Sequence, residues 1–197
     1  MTRQDDLPLD CQNGRVRGRK VVLRQKTIAD AERDYAWRCD PELARYDATR
    51  PLRISFEDFV ADYEEDLRRA SAHGQRFAIE TLDGRHIGNC MYYGANYHRQ
   101  EAELGILIGD RDYWGRGYGT DSIRTLLRYI FQCTSLNRIY LRTLDWNVRA
   151  QRSFAHCGFH EFRREREGQY LFVIMDTWRD EFVAREEFKK SGEPEEP

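Results

Sequence analysis

The chain lacks any long apolar run, since none of its segments approaches the roughly 18 apolar residues that a membrane-spanning helix requires. Its first residues contain no apolar signal region, and its formal net charge is only −2. No excess of positive charge is therefore available to recruit nucleic acid or an anionic membrane. We expect a cytoplasmic protein that binds neither nucleic acid nor membrane.

Paired cysteines are also missing. The five cysteines of the chain are scattered, and no two of them form a C-x-x-C pair. Because such pairs are typical of zinc sites and redox motifs, their absence favours reduced, mostly buried thiols. We accordingly expect no metal site.

Composition divides the chain into three parts. Residues 1–19 contain glycine and proline with little periodicity, which predicts a flexible arm. Residues 20–185 are numerous enough to form one domain with a substantial core. Residues 186–197 end in the acidic and proline-containing run 193–197, which cannot bury apolar surface and predicts a disordered tail.

Hydrophobic periodicity predicts a mixed fold within this domain. Helical spacing occurs over residues 27–38, 55–70, 122–131 and 147–157. Strand patterns cover residues 21–24, 77–81, 87–93, 102–108, 138–144, 159–163 and 170–177. The order of these elements predicts an α/β (α+β) domain. Its twisted, mixed, mostly antiparallel sheet has about six or seven strands, with helices on both faces.

Three alternating glycines form the most informative motif of the chain. Gly115, Gly117 and Gly119 lie between the strand that ends near Ile108 and the helical pattern that begins at Ser122. Backbone N–H groups at a helix N-terminus lack intrahelical partners, and glycines allow an anion to approach them closely. The motif predicts a phosphate-binding loop, although glycines in this position also form simple tight turns.

Two common phosphate motifs do not fit this loop. No Lys-Ser or Lys-Thr follows the last glycine, as a Walker sequence requires, and the spacing differs from G-x-G-x-x-G. The motif therefore does not favour a kinase-like or a nicotinamide-binding site. An unrelated α/β nucleotide-binding domain is retained as one alternative, and it would bind ATP rather than a coenzyme A derivative.

Two motifs in the right order resemble those of the GNAT superfamily of acyl-CoA-dependent N-acyltransferases. The first is Trp114-x-x-Gly117-x-Gly119, with Trp where the family pattern has Arg or Gln. The second is Asn147 with Ala150, followed by Gly158-Phe159. The form of the loop is similar to that of the RimJ/RimL-like branch, and the resemblance covers approximately residues 21–182.

The resemblance implies a GNAT-like sheet and acetyl-CoA as co-substrate, with no metal. It places the pantetheine arm against the exposed backbone of Ile106, Leu107 and Ile108. It gives Asn147 a cofactor-side role, although Asn also suits a helix N-cap. The backbone of residues 115–120 and the Arg116 side chain would contact the pyrophosphate. The further cofactor-binding residues that the resemblance implies in and near this loop and on the later helix are Trp114, Gly115, Arg116, Gly117, Tyr118, Gly119, Thr120 and Phe154.

Catalysis on an amine requires a group that removes the amine proton. The family often has an acid at the position of Glu103, and Glu101 would face the same side of a regular strand. The tyrosine that often protonates the leaving thiolate is replaced by Phe154. Ser153 is the nearest substitute, and Tyr140 and Tyr170 are less well placed.

The function that these features imply is transfer of an acetyl group to a primary amine by direct attack in a ternary complex. Acceptor classes include a protein N-terminus, a polyamine, an aminoglycoside or another small amine, and the resemblance also allows a homodimer. A non-catalytic acyl-CoA-binding sensor module is the alternative. Aromatic candidates for the acceptor pocket are Trp37, Tyr46, Tyr92, Tyr93, Tyr97, Trp146 and Tyr170.

Overall fold

The computed structural model describes residues 14–69 and 73–191, and for residues 189–191 it describes the backbone alone. The strands are β1 (Arg15–Arg17), β2 (Val21–Gln25), β3 (Gln75–Thr81), β4 (His86–Asn96), β5 (Glu101–Ile108), β6 (Arg138–Leu144), β7 (His160–Glu167) and β8 (Tyr170–Trp178). The helices are α1 (Ala31–Cys39), α2 (Pro41–Tyr46), α3 (Phe56–Arg68), α4 (Tyr118–Cys133), α5 (Val148–His156) and α6 (Arg179–Ser191). Short 3₁₀ turns occur at Ile28–Asp30 and Arg111–Tyr113.

All eight strands belong to one sheet in the order β1-β2-β3-β4-β5-β6-β8-β7. Neighbouring strands are antiparallel except β5 and β6, which are parallel. The predicted mixed, mostly antiparallel sheet is therefore confirmed. The strand beyond the predicted seven is β1.

Helices cover both faces of the sheet. On one face, Tyr129 of α4 packs edge-on against Phe77 of β3, with ring centroids 5.2 Å apart. On the other face, Asp34 of α1 accepts a hydrogen bond from the Asn89 side chain of β4 at 2.6 Å. Phe77 pairs with Cys90, the residue that follows Asn89 on β4. Because successive side chains of a strand point to opposite faces, those of Phe77 and Asn89 lie on opposite faces of the sheet. The core lies mainly beneath α4, whose apolar face is fully buried.

Secondary structure extends beyond the predicted domain limits at both ends. Residues 15–17, within the predicted arm 1–19, form β1 and pair with β2. The left-handed Gly14, with φ of 59°, precedes this strand, and three residues are too few to give an apolar pattern. At the other end, α6 runs to Ser191, past the predicted limit of 185. Residues 1–13 and 192–197 lie outside the described residues.

Two helices differ from the predictions. Helix α2 is absent from the sequence-based description, although Asp40 caps it by accepting hydrogen bonds from the N–H groups of Glu42 and Leu43. Helix α4 begins at Tyr118, four residues before the start predicted at Ser122. The earlier start places Gly117 at the N-cap, directly inside the glycine motif.

Three cysteines carry the reduced thiols that the sequence predicts, and one does not. Cys39, Cys90 and Cys157 form no disulfide and carry reduced thiols. Cys133 is disulfide-bonded, so the expectation of a reduced thiol is wrong there. Residue spacing alone does not reveal which cysteines folding brings together. Cys11 lies outside the described residues. Among the described helices, none is both long and apolar enough to cross a bilayer.

Candidate active site

The parallel strands β5 and β6 separate part way along their length. Their pairing consists of Glu101 with Arg138, Ala102 with Ile139 and Glu103 with Tyr140. Beyond this point β5 continues to Ile108 and β6 to Leu144 without further pairing between them. A gap therefore opens in the middle of the sheet, at the end that leads to the glycine motif.

Alternation of the β4–β5 ladder determines which backbone groups face this gap. The N–H of Gly109 donates to the carbonyl of Ile87 on β4 at 3.0 Å. In an antiparallel pair every second residue bonds to the same neighbour, so Leu107 also directs its backbone towards β4. The backbone of Ile106 and the N–H of Ile108 face the gap. The carbonyl of Ile108 already accepts a hydrogen bond from the Trp114 indole at 2.6 Å.

A cavity of about 590 Å³ extends from this gap to the glycine motif, and its size is that of a small-molecule site. Helices α2 and α5 form its other walls. Glu103, Arg116 and Tyr118 are not among the residues that line it. The predicted site residues that do line it are Ile106, Leu107, Ile108, Trp114, Gly115, Gly117, Gly119, Thr120, Asn147, Ser153 and Phe154.

The glycine loop, residues 115–119, leaves its backbone open. Gly115 and Gly117 have φ angles of 68° and 82°, the left-handed region that other residues rarely adopt. The space where a Cβ of Gly115 would point is empty within 4 Å. No backbone N–H from Gly115 to Thr120 donates a hydrogen bond within the described part of the chain. Such a cluster of unpaired donors at a helix N-terminus is suited to an anion.

The side chain of Arg116 does not extend towards this cluster. Its guanidinium donates to the carbonyl of Asp112 at 3.0 Å. The side chain of Lys20, which sequence reasoning missed, reaches the loop instead and donates to the carbonyl of Arg116 at 2.8 Å. Nothing local in the sequence marks Lys20, because it lies 96 residues away from that carbonyl.

Helix α5 contributes the wall opposite the loop. Asn147 caps this helix, since its side-chain oxygen accepts a hydrogen bond from the N–H of Ala150 at 3.3 Å. The capping role is thus present, and the same residue also lines the cavity. The Ser153 hydroxyl forms a hydrogen bond with Thr120 of α4 at 2.8 Å. Phe154 is buried and packs edge-on against Phe159.

Glu103 and Glu101 differ in their surroundings. Arg138 donates to the Glu101 carboxylate at 2.7 Å and thereby neutralises it. Glu103 forms no ion pair within 4 Å among the described residues and lies between Tyr93 on β4 and Tyr140 on β6. Burial and the Glu103 carboxylate both raise the pKa of Tyr93. The pKa of Tyr140 is raised by the same two causes, so both phenols stay neutral next to Glu103.

An aromatic cluster of Tyr46, Trp114 and Trp146 forms the rim of the cavity. The Tyr46 ring centroid lies 5.6 Å from that of Trp114 and 5.2 Å from that of Trp146. The guanidinium of Arg149 stacks 3.7 Å above the Trp114 ring. Of the aromatic acceptor candidates, Tyr46 lines this cavity, whereas Trp37 packs against His86.

A gap between parallel strands that leads to an open glycine loop is the arrangement that the resemblance to acyl-CoA-dependent acyltransferases implies. The chain belongs to the GNAT acetyltransferases, because residues 20–160 match the family model described as Acetyltransferase (GNAT) domain. This match confirms the superfamily and the enzyme class that the sequence predicted, acetyl-CoA-dependent N-acetyltransferases. The RimJ/RimL-like branch stays a prediction.

Particular relatives are distant. The uncharacterized N-acetyltransferase p20 of Bacillus licheniformis is 29% identical over 123 residues, which cover 61% of this chain and 67% of p20. The uncharacterized protein MJ1062 of Methanocaldococcus jannaschii is 23% identical over 79% of this chain. The matched region spans only 31% of MJ1062.

The solved structures of similar fold include complexes with coenzyme A. Spermidine N-acetyltransferase from Vibrio cholerae, in complex with CoA and spermine, has a TM-score of 0.74 and 22% identity. The alignment covers 83% of this chain and 98% of that structure. At this identity the similarity supports the fold and no more.

Proposed function

We propose that the protein transfers an acetyl group from acetyl-CoA to a primary amine by direct attack in a ternary complex. The acceptor is a protein N-terminus, a polyamine, an aminoglycoside or another small amine. The observation that carries the proposal is the alignment of the strand gap with the unpaired N–H groups of residues 115–120 in one cavity. Acetyl-CoA, when bound, supplies an activated thioester carbonyl.

The residues present fit this co-substrate at both ends of the cavity. The loop offers N–H donors to a pyrophosphate, with no Cβ at Gly115 or Gly117 in the way. At the gap, Ile106 offers an N–H and a carbonyl, and Ile108 an N–H, to an amide-containing arm. Leu107 contributes only its side chain, since its backbone is directed to β4. Of the three residues predicted for this contact, two therefore supply backbone groups.

Glu103 is the general base in this proposal. An alkylamine has a pKa near 10, so it arrives protonated at neutral pH and must lose a proton before it attacks. The Glu103 carboxylate lies where β5 and β6 separate and has no cation within ion-pair distance among the described residues. Glu101, by contrast, is held in an ion pair with Arg138.

The general acid is less well defined by the geometry. Ser153 lines the cavity, but its hydroxyl is already hydrogen-bonded to Thr120. Phe154 has no proton to donate. A thiolate with a pKa near 8.5 leaves without assistance at a moderate rate, so the proposal does not depend on either residue.

The first test is ligand binding followed by turnover. Acetyl-CoA should raise the melting temperature, whereas ATP and NAD at equal concentration should not. A ligand at 100 times its Kd stabilises the folded state by about 2.7 kcal/mol, which thermal unfolding detects readily. Release of free CoA thiol should then follow with at least one member of a panel of amines. Binding without turnover would favour the non-catalytic sensor module, and binding of ATP alone would favour the unrelated nucleotide-binding domain.

The second test addresses the base. Glu103→Gln should lower kcat by about 10²- to 10⁴-fold at neutral pH and much less at high pH, where solution already deprotonates the amine. Acetyl-CoA affinity, measured by calorimetry, should stay near the wild-type value. Glu101→Gln, the same substitution two residues earlier on β5, is the matched control variant. A Glu103→Gln profile that overlays the wild type would contradict the assignment, and a selective loss in Glu101→Gln would transfer the role to that residue.

A further inference from the structure

The turn between β1 and β2 is fixed to the first turn of α4 by one carboxylate. Asp121 accepts hydrogen bonds from three consecutive backbone N–H groups, those of Arg19 at 3.2 Å, Lys20 at 2.7 Å and Val21 at 3.1 Å. A Cβ at Gly18 would lie 2.5 Å from an Asp121 oxygen, so only glycine fits there. The turn therefore holds one defined position against the start of α4.

This attachment places the ammonium group of Lys20 at the glycine loop. The Nζ atom lies 2.8 Å from the carbonyl of Arg116 and 5.6 Å from the centre of the Tyr118 ring. A Cβ built on Gly117 would lie 3.5 Å from it. No carboxylate lies within ion-pair distance of Lys20 in the described ranges 14–69 and 73–191. The ammonium thus lies beside unpaired N–H donors, and both would attract an anion.

We propose that Lys20 binds the pyrophosphate of the coenzyme A moiety together with the backbone of the glycine loop. This inference rests on the proposed function. An ammonium has three N–H donors, and the Arg116 carbonyl uses one of them, so two are available to phosphate oxygens. The position at Gly117, in the centre of the loop, points to the pyrophosphate rather than to the 3′-phosphate.

Lys20 takes the role that the sequence had offered to Arg116. The two side chains are close in space, but the Arg116 guanidinium bonds back to Asp112 on the outer side of the loop. A lysine on a turn that Asp121 immobilises loses less freedom on binding than a lysine on a mobile segment. The contribution of Lys20 is therefore binding and positioning, and the amine chemistry does not involve it.

The test is calorimetric binding of CoA and of dephospho-CoA, which retains the pyrophosphate but lacks the 3′-phosphate. Lys20→Gln keeps a donor for the Arg116 carbonyl and removes the charge, whereas Lys20→Met removes both. Both variants should weaken both ligands by about tenfold, as expected for a hydrogen bond to a charged group, and the loss should shrink with rising salt. Arg17→Met, which removes an exposed positive charge from the same hairpin, is the control and should bind both ligands as the wild type does.

Each result bears on a separate claim. Unchanged affinity of Lys20→Gln would overturn the role of Lys20 while leaving the proposed function intact. A loss confined to CoA would overturn the pyrophosphate assignment in favour of the 3′-phosphate. A loss that is independent of salt and accompanied by a lower free energy of unfolding in urea would show a merely structural role. Failure of the wild type to bind any CoA species would instead contradict the proposed function itself.

Discussion

Two polar regions of this protein differ in whether their polar groups have hydrogen-bond partners within the protein. The buried ionic cluster, formed by Arg24, Lys26, Asp30, Asp34 and Glu80, fixes α1 to the sheet, and its members find their partners within the protein. Asp30, for example, accepts two hydrogen bonds from Arg24 at 2.6 and 2.7 Å. By contrast, the glycine loop and the following Thr120 present six consecutive backbone N–H groups that donate to no acceptor in the described part of the chain.

The difference teaches how to separate scaffold from site without a bound ligand. Buried polar groups are costly unless they are paired, so a satisfied cluster stabilises one arrangement of the chain. Donors that the fold leaves unpaired, next to a cavity, are the ones available to a ligand. By this criterion the ionic cluster stabilises the fold despite its many titratable groups, and the glycine loop is the candidate ligand site despite having few.

The largest effect is expected from breaking the ionic cluster. Asp34 is almost fully buried, and its carboxylate pairs with Lys26 at 2.5 Å and with the Tyr63 hydroxyl at 2.8 Å. Asp34→Ala should lower the free energy of unfolding by about 3–5 kcal/mol, because it leaves a buried cation without a partner. Urea unfolding measures this loss.

The control for this prediction is an exposed ion pair. Asp66 pairs with Arg76 at 2.6 Å, but both side chains are more than half exposed. Asp66→Ala should change the free energy of unfolding by no more than about 1 kcal/mol. Equal losses in the two variants would remove the distinction between a satisfied buried cluster and a solvated surface pair.

A smaller effect, on binding and not on stability, is expected at the loop. Gly119 has an ordinary negative φ, and a Cβ there would lie 3.7 Å from Ile108 and 3.9 Å from Ser153, at the cavity wall. Gly119→Val should weaken acetyl-CoA binding more than tenfold, or about 1.4 kcal/mol, while the free energy of unfolding stays near the wild-type value. Gly119→Ala, which adds one methyl group, should bind much better. Unchanged calorimetric affinity of the valine variant would mean that the loop is only a turn.

The smallest effect is a change in the pH dependence of stability. Burial tends to raise the pKa of Asp30, but hydrogen bonds from Arg24 and from the Thr27 N–H outweigh it and hold that pKa below its usual value. A depressed pKa contributes stability above the unfolded-state value of about 3.9, and this stability is lost as the pH falls through the folded-state pKa. The free energy of unfolding should therefore fall on acidification below about pH 4. Asp30→Asn should make that fall shallower, and an identical acid slope in both proteins would contradict the contribution of Asp30.

The sequence predicts the parts of the fold whose signals are local. The strand over 138–144 is found with the predicted limits, and the apolar face of α4 is buried as its spacing requires. Helix α2 was missed because six residues show too little periodicity, although Asp40 before Pro41 is a recognisable cap and first-turn signal. Strand β7 is exposed along its whole length, so no apolar alternation could reveal its full extent.

The candidate active site likewise could be predicted only in those parts that have a local sequence signal. The glycine loop and Asn147 are recognisable from spacing, and the structure brings both to one cavity. The orientation of Arg116 away from the loop could not be predicted, because it depends on a carbonyl four residues earlier. Among the described residues Glu101 is ion-paired and Glu103 is not, and this difference depends on Arg138, a residue on another strand. The ion pair of Glu101 is a tertiary contact, which alternation along one strand does not encode.

The attachment of the β1–β2 turn to Asp121 also has a consequence for the order of folding. Its three hydrogen bonds join residues that are 100 to 102 positions apart in the chain. During synthesis at about 5–20 residues per second, Lys20 emerges some 5–20 seconds before the carboxylate that will hold its turn. Contacts of such long range close large loops and therefore form late, after the local hairpins. We therefore expect the end of the cavity at the glycine loop to be completed late in folding, after the first strands have docked onto α4.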